Sequence, residues 1–287
     1  YIIAILYMTT PLQFILNTYG LAGQAEASID KVDELKKSLA SKITEVEATP
    51  SSDRITNWTS LELHGATHSY HREKENSTFT LGPVDLKINS GELLFVTGGN
   101  GSGKTTLVKL LSGLYAPEAG TIMLNGKPVT DDNRDHYRQY FSVVFSDYFL
   151  FDKLHGLPKL DSQVKDYLTR LQLDHKVQVN NGELSTTELS QGQRKRLALL
   201  TAYLEDRPIY IFDEWAADQD PQFREVFYYE LLPDLKARGK TIIVVSHDDR
   251  YYNVADRLIK LDYGQVASDQ TSPRLTYVAA NRSVAVN

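Results

Sequence analysis

The 287-residue chain contains no cysteine. That excludes a disulfide framework and thiolate metal sites, and it fits a reducing compartment. Basic charge is not in excess either, since 31 Lys and Arg stand against 37 Asp and Glu for a net charge of −6. Electrostatics give no reason to expect nucleic acid, and none is expected as a partner. No internal repeat or low-complexity tract is present. Charge is missing altogether from Tyr1 to Ala25, and Tyr1 to Tyr19 are mostly large and apolar. A membrane-spanning helix takes roughly 20 such residues, and Pro11 is tolerated in one. The run reads as all or most of a membrane helix. With no basic start and no small-residue cleavage site it is not a secretory leader. A buried helix is the alternative, because Thr9, Thr10, Gln13, Asn17 and Thr18 dilute the run. The chain opens on Tyr rather than Met, so a piece of a longer protein is expected.

From Glu26 the pattern changes. Ile29, Val32, Leu35, Leu39, Ile43 and Val46 recur every three or four residues among charged neighbours. An amphipathic helix is predicted, continuing the first one into water. Thr49-Pro50-Ser51-Ser52-Asp53 ends it and marks a domain boundary. The expected division is 1–48, end of a membrane domain with its extension; 49–56, linker; 57–270, one globular unit; 271–287, an unassigned tail. Short strand-like runs fill Asp53 to Gly91, with His71 to Ser77 as a hairpin loop before Phe79 to Ile88. Further strands are predicted near Gly113 to Gly126 and over Phe141 to Phe145. Ser146 to Asn181 reads as mixed and partly helical, and the sequence after Gln265 gives no pattern.

The stretch Gly91 to Leu111 organises the unit. Leu93 to Val96 suit a buried strand, Leu107, Leu110 and Leu111 return at helical spacing, and glycines fill the turn between. Gly98, Gly103, Lys104 and Thr105 match G-x-x-x-x-G-K-[ST]. Such a loop closes backbone N–H groups around phosphates and adds the positive end of a helix dipole. Gly98, Asn100, Gly101, Ser102, Gly103, Lys104, Thr105 and Thr106 are therefore assigned to the phosphates. Lys104 neutralises the outer phosphates and Thr105 holds magnesium.

Three later segments complete that chemistry. Ile209 to Phe212 is an apolar strand ending in Asp213 and Glu214. Behind a phosphate loop, Asp213 suits the magnesium shell and Glu214 suits a base for water. Thr241 to Val245 is another apolar run, and His247 follows it on the rim where parallel sheets bind ligands. Leu189-Ser190-Gln191-Gly192-Gln193 opens a helix, with Ser190 as a good N-cap; the turn is either a second anion site or the start of a plain capped helix whose basic first turn, Arg194 to Arg196, is solvated. Tyr70 is either a plain strand residue or an aromatic that stacks on a base.

Taken together, these motifs resemble the ATP-binding cassette (ABC) ATPases, in the family's order and over about Asn57 to Val266. The resemblance implies an α/β P-loop NTPase cassette with a mostly parallel core sheet, an N-terminal antiparallel β subdomain and an inserted helical subdomain. It implies ATP hydrolysis with Mg2+, Glu214 and His247 as catalytic residues, and Tyr70 against adenine. Ser190, Gly192, Gln193 and Asp220 would meet nucleotide across a head-to-tail homodimer that encloses two ATP. Tyr1 to Val46 look like the last membrane helix and cytoplasmic extension of an exporter-type half-transporter, which joins one membrane domain to one cassette. That makes its membrane domain a partner and places the cassette on the cytoplasmic side of the inner membrane. Phe141 to Phe151, Leu189 to Arg196 and Asp213 to Pro221 look closer still to the cyclic-peptide and siderophore exporter branch. Three positions depart from the family. Ser146 stands where the metal-sensing loop has glutamine, with Asp147 beside it as a substitute metal ligand; Gln191 stands where the signature has glycine; Asp218 replaces a small apolar residue. A soluble ABC ATPase acting as a nucleotide-dependent clamp is the rival reading. A P-loop small-molecule kinase would leave Leu189 to Gln193 and His247 unexplained.

Overall fold

A computed structural model describes residues 58–72, 77–154, 161–180 and 182–271, with 13, 28–33 and 36 nearer the N-terminus. The chain divides into two compact units, Tyr1–Ser52 and Asp53–Asn287. In the first, residues 28–33 and 36 are helical, and Ile29 and Val32 are exposed. Apart from residue 13, the charge-free run lies outside the described residues, as do residues 272–287. Among the described residues no helix is long and apolar enough to cross a membrane.

The second unit begins with two long strands, β1 (Ser60–Arg72) and β2 (Ser77–Asn89), followed by β3 (Leu93–Gly98), the phosphate loop and α1 (Lys104–Leu111). Next come β4 (Ala119–Leu124), β5 (Lys127–Pro128), α2 (Arg134–Arg138) and β6 (Phe141–Val144). Helix α3 (Asp161–Arg170) and the small hairpin of β7 (Val179–Asn180) and β8 (Glu183–Leu184) lead to α4 (Gln191–Glu205). The chain finishes with β9 (Ile209–Asp213), α5 (Pro221–Val226), a π-helical turn Phe227–Leu231, α6 (Leu232–Ala237), β10 (Thr241–Val245), β11 (Arg257–Asp262) and β12 (Gln265–Thr271).

Two large sheets result. One is antiparallel in the order β2-β1-β4-β5, and the other runs β12-β11-β3-β10-β9-β6. In the second, every neighbouring pair is parallel except β11 with β12. The helical insertion lies between β6 and β9, and the core sheet is mostly parallel, as the resemblance implies.

The strands of the parallel sheet are apolar on both faces because both are covered, as parallel sheets require. Phe95, Tyr210, Phe212 and Val244 point into a core with α4, Trp215 and the helices after β9. Their neighbours Leu94, Val96, Ile209, Ile211 and Ile243 point the other way, against α1 and the antiparallel sheet. Burying each such side chain contributes about 1.5–3 kcal/mol, so these strands hold their C-terminal ends in fixed register.

Two expectations are refined here. His71, Arg72 and Ser77 belong to paired strands, with Arg72 opposite Ser77, so the ends of the polar stretch expected as hairpin loop are ladder, while residues 73–76 lie outside the described residues. Cross-strand hydrogen bonding satisfies the backbone there whatever the local polarity. The sequence after Gln265 also forms a strand, antiparallel to β11. Its side chains alternate too weakly to announce it, and pairing with β11 supplies the order.

Candidate active site

The phosphate loop has the shape the motif requires. Gly98 has φ 147°, and a Cβ there would lie 2.3 Å from the Leu261 carbonyl oxygen. Gly103, at φ 102°, is the residue before α1, and no side chain caps that helix. Its first N–H groups are thus left for a ligand. Gly264 N donates to the Ser102 carbonyl at 3.0 Å, so the turn between β11 and β12 supports the loop from behind.

Lys104 is buried, and its Nζ donates to the carbonyl oxygens of Gly98 (3.1 Å) and Gly99 (3.0 Å), with Glu214 Oε1 at 3.8 Å. Burial pulls its pKa down, and the charges of Glu214 and Asp213 oppose that. The ammonium therefore sits between the loop and two carboxylates. It stands ready for a multiply charged anion.

Strand β10 lies between β3 and β9, and its register sets Val245 beside both Val96 and Asp213. This brings the P-loop helix to the end of β9. Thr105 Oγ1 donates to Asp213 Oδ2 at 3.0 Å. Asp213 is fully buried, and its other oxygen, Oδ1, has no hydrogen-bond partner. Burial, the largest influence, raises its pKa, and the nearby charges of Glu214 and Asp147 push the same way. A buried, unsatisfied carboxylate oxygen beside a hydroxyl fits Mg2+, which takes one or two protein ligands alongside phosphate and water.

One residue on, Glu214 is left-handed at φ 51°, and its N–H donates to the Val245 carbonyl at 3.1 Å. Its side chain meets His247, with Nε2 3.0 Å from Oε1. His247 comes just past the end of β10, and Tyr228 and Ser246 share a hydrogen bond of 3.0 Å behind it. A carboxylate and an imidazole in hydrogen-bond contact thus stand beyond the phosphate loop.

The signature residues form a separate group. Ser190 caps α4 in a capping box, accepting from Gln193 N while Gln193 Oε1 accepts from Ser190 N. Gly192 leaves no room for a side chain, since a Cβ would lie 2.9 Å from the Asp218 carbonyl oxygen. Asp220 caps α5 through Phe223 N (2.8 Å) and pairs with Arg196 of α4. This group touches the phosphate-loop group through Lys195, whose Nζ donates to the Glu214 carbonyl at 3.2 Å.

Tyr70 is exposed on β1, and its ring is 5.5 Å from that of Phe79, its cross-strand partner. Phe79 in turn lies against Gly103, 3.0 Å from where a Cβ would be. That puts an aromatic pair beside the phosphate loop. Phe79 was not singled out in the sequence; the strand pairing with Tyr70 is the signal that finds it. Asn100 and Gly101 are exposed in the loop, while Ser102 and Thr106 are buried beneath it. Ser146 and Asp147 form an exposed turn after β6, and of the two only Asp147 acts on Asp213 through its charge. Sequence reasoning also missed Lys195 and Trp215, which join the two groups.

The phosphate loop with its buried lysine, the Thr105–Asp213 pair and the Glu214–His247 couple, set on this fold, define a P-loop ATPase. Residues 81–217 match the family described as ABC transporter. The chain is 45% identical over 278 residues to the ATP-binding protein SyrD of Pseudomonas syringae pv. syringae, covering 93% of this chain and 49% of SyrD. It is 30% identical over 233 residues to the macrolide export ATP-binding/permease protein MacB of Pectobacterium atrosepticum, covering 74% of this chain and 35% of that one. Among solved structures, a dimeric ATP-binding cassette bound to ADP and Pi has TM-score 0.62 at 22% identity, covering 74% of this chain and 98% of its own. A bacterial Atm1-family ABC exporter with ATP bound has TM-score 0.67 at 21% identity, covering 89% and 46%. The described globular unit is an ABC transporter ATP-binding cassette. The chain spans about half the length of SyrD and about a third of MacB.

Proposed function

We propose that this cassette powers an exporter: two copies close head-to-tail on two ATP, and hydrolysis releases them. The observation that carries the reading is the convergence on one loop of Lys104, the Thr105–Asp213 pair and the Glu214–His247 couple. Lys104 and the N–H groups of α1 bind the β- and γ-phosphates. Thr105 and Asp213 hold magnesium, which when bound supplies positive charge to the phosphoryl oxygens. Glu214 orients the attacking water and takes its proton, and His247 holds Glu214 in place. Ser190 and Gln193 of the second copy donate to the γ-phosphate, and Asp220 lies at the same junction. Tyr70 packs on adenine.

Export is supported by the names of MacB and of the Atm1-family structure. A peptide-like or siderophore-like solute is supported by the branch resemblance of Phe141 to Phe151 and Asp213 to Pro221. The membrane domain of the same transporter is the second partner, in the inner membrane, with the cassette facing the cytoplasm.

Glu214→Gln should lower ATP hydrolysis by about 100-fold or more while a dimer stable in ATP accumulates in sedimentation. An unchanged rate removes Glu214 from its role. Lys104→Ala should weaken ATP binding by about tenfold or more, roughly 1.4 kcal/mol, in isothermal titration. Fractionating the native cells tests export: the polypeptide carrying this cassette should sediment with membranes, and recovery only from the soluble fraction would favour a clamp.

A further inference from the structure

Two residues by which this chain departs from its family meet each other. Gln191 lies in the signature and Asp218 in the loop after Glu214, and Gln191 Nε2 donates to Asp218 Oδ2 at 3.1 Å. The same oxygen lies 2.7 Å from Lys195 Nζ, which also donates to the Glu214 carbonyl at 3.2 Å. The Lys195 side chain is 2% exposed and that of Asp218 37%. Its ammonium is thus held out of water, beside one carboxylate and one carbonyl. A buried charge of this kind adds little net stability but strongly favours the one geometry that satisfies it. Two further bonds close the junction: Gln219 Nε2 to the Gly192 carbonyl (3.1 Å) and Trp215 Nε1 to the Lys195 carbonyl (2.9 Å).

Signature turn and Glu214 loop are therefore tied by side chains from both sides. A small apolar residue at 218 would leave the Lys195 ammonium without its carboxylate, and glycine at 191 could not reach across. The two departures make sense as a pair.

We propose that Asp218 is a positioning residue that couples the two ATP sites of a dimer. When Ser190 and its turn close on the partner's nucleotide, the Gln191–Asp218–Lys195 bridge fixes the loop that carries Glu214 at this chain's own nucleotide. Coupling then passes through a hydrogen-bonded chain inside each copy, as well as across the interface. This rests on the head-to-tail dimer proposed above.

The test uses the full chain, with ATP hydrolysis measured against ATP concentration for the wild type, Gln191→Ala and Asp218→Asn. Gln191 is exposed, so its truncation cuts the signature end of the bridge without threatening the fold. Asp218→Asn keeps an acceptor for Lys195 and removes its charge. In Gln191→Ala, kcat should fall by about fivefold or more, the low end of ordinary coupling between sites, and the Hill coefficient should drop toward one. ADP affinity, which reports the phosphate loop of a single copy, should stay at the wild-type value. Asp218→Asn should fall between Gln191→Ala and wild type. Wild-type kcat and Hill coefficient in both variants would overturn the bridge, as would a lower kcat with an undiminished Hill coefficient. A wild type that sediments as a monomer in ATP and hydrolyses with a Hill coefficient of one removes the dimer itself, a distinct result.

Discussion

Asp220 shows how one side chain serves both the fold and the junction around Glu214. Its carboxylate caps α5 through Phe223 N and pairs with Arg196, whose guanidinium also lies 3.6 Å over the Phe223 ring. The Phe223 N–H, and after it the Arg196 charge, hold its pKa below 3.8. A lowered carboxylate pKa stabilises the fold above the ordinary value, and that stabilisation is lost as pH falls through the lowered one. Asp220→Asn retains a capping oxygen and loses only charge. Its deficit in unfolding free energy against wild type should be full at neutral pH and shrink below pH 3.8, as denaturant titrations at several pH values can read. Asp220→Ala removes the cap as well, at about 1 kcal/mol for the cap alone, a deficit that persists in acid.

Among the elements, α4 carries the signature, and its N-terminus separates two kinds of effect. Ser190→Ala removes one hydrogen bond of a capping box and should cost the isolated chain about 1 kcal/mol. If Ser190 also donates to the partner's γ-phosphate, hydrolysis should fall well beyond what that small loss of stability explains. Thermal unfolding without nucleotide, set beside ATPase rates at a temperature far below the transition, separates the two contributions. Ser190 was legible as a cap because capping is local chemistry written in adjacent residues. The same holds for the phosphate loop, whose strand and helix lie on either side of Gly98 and Gly103, and for the apolar strands that end in Asp213 and Val245. What was not legible depends on distant pairing. β12 exists because β11 lies beside it. Phe79 reaches Gly103 only because β1 and β2 pair. Lys195 reads as part of a solvated basic turn, yet it is buried, because the turn of Trp215–Asp218 folds over it and supplies the partner. Gln191 and Asp218 looked like separate irregularities until the fold set them in contact.

At the scale of the whole molecule, the exporter reading requires ATP chemistry to reach a membrane domain, and the turn after β6 suits that task. Asp147 lies close enough to Asp213 for its charge to be felt there, and two and four residues later the chain exposes aromatic surface. Phe149 is 78% exposed and Phe151 62%, with ring centroids 5.0 Å apart, at the rim of a cavity of about 400 Å³ between this segment and α4. Tyr148, between them and Asp147, donates to the Gln191 carbonyl at 3.4 Å, so the segment also touches the signature helix. Two large, mostly exposed apolar rings at one spot suit a partner surface better than a solvated one. In the exporter reading that partner is a cytoplasmic loop of the membrane domain. Burying two phenylalanine rings contributes about 1.5–3 kcal/mol each, so replacing both with serine should weaken docking by about 100-fold or more. The Phe149→Ser/Phe151→Ser chain should hydrolyse ATP alone at close to the wild-type rate, since neither ring touches the phosphate loop, Asp213 or Glu214. Reconstituted with the membrane domain in lipid vesicles, it should show no ATP-driven transport and no change in ATPase rate on addition of a transported solute. Wild-type transport by the double variant would move the docking surface elsewhere on the cassette.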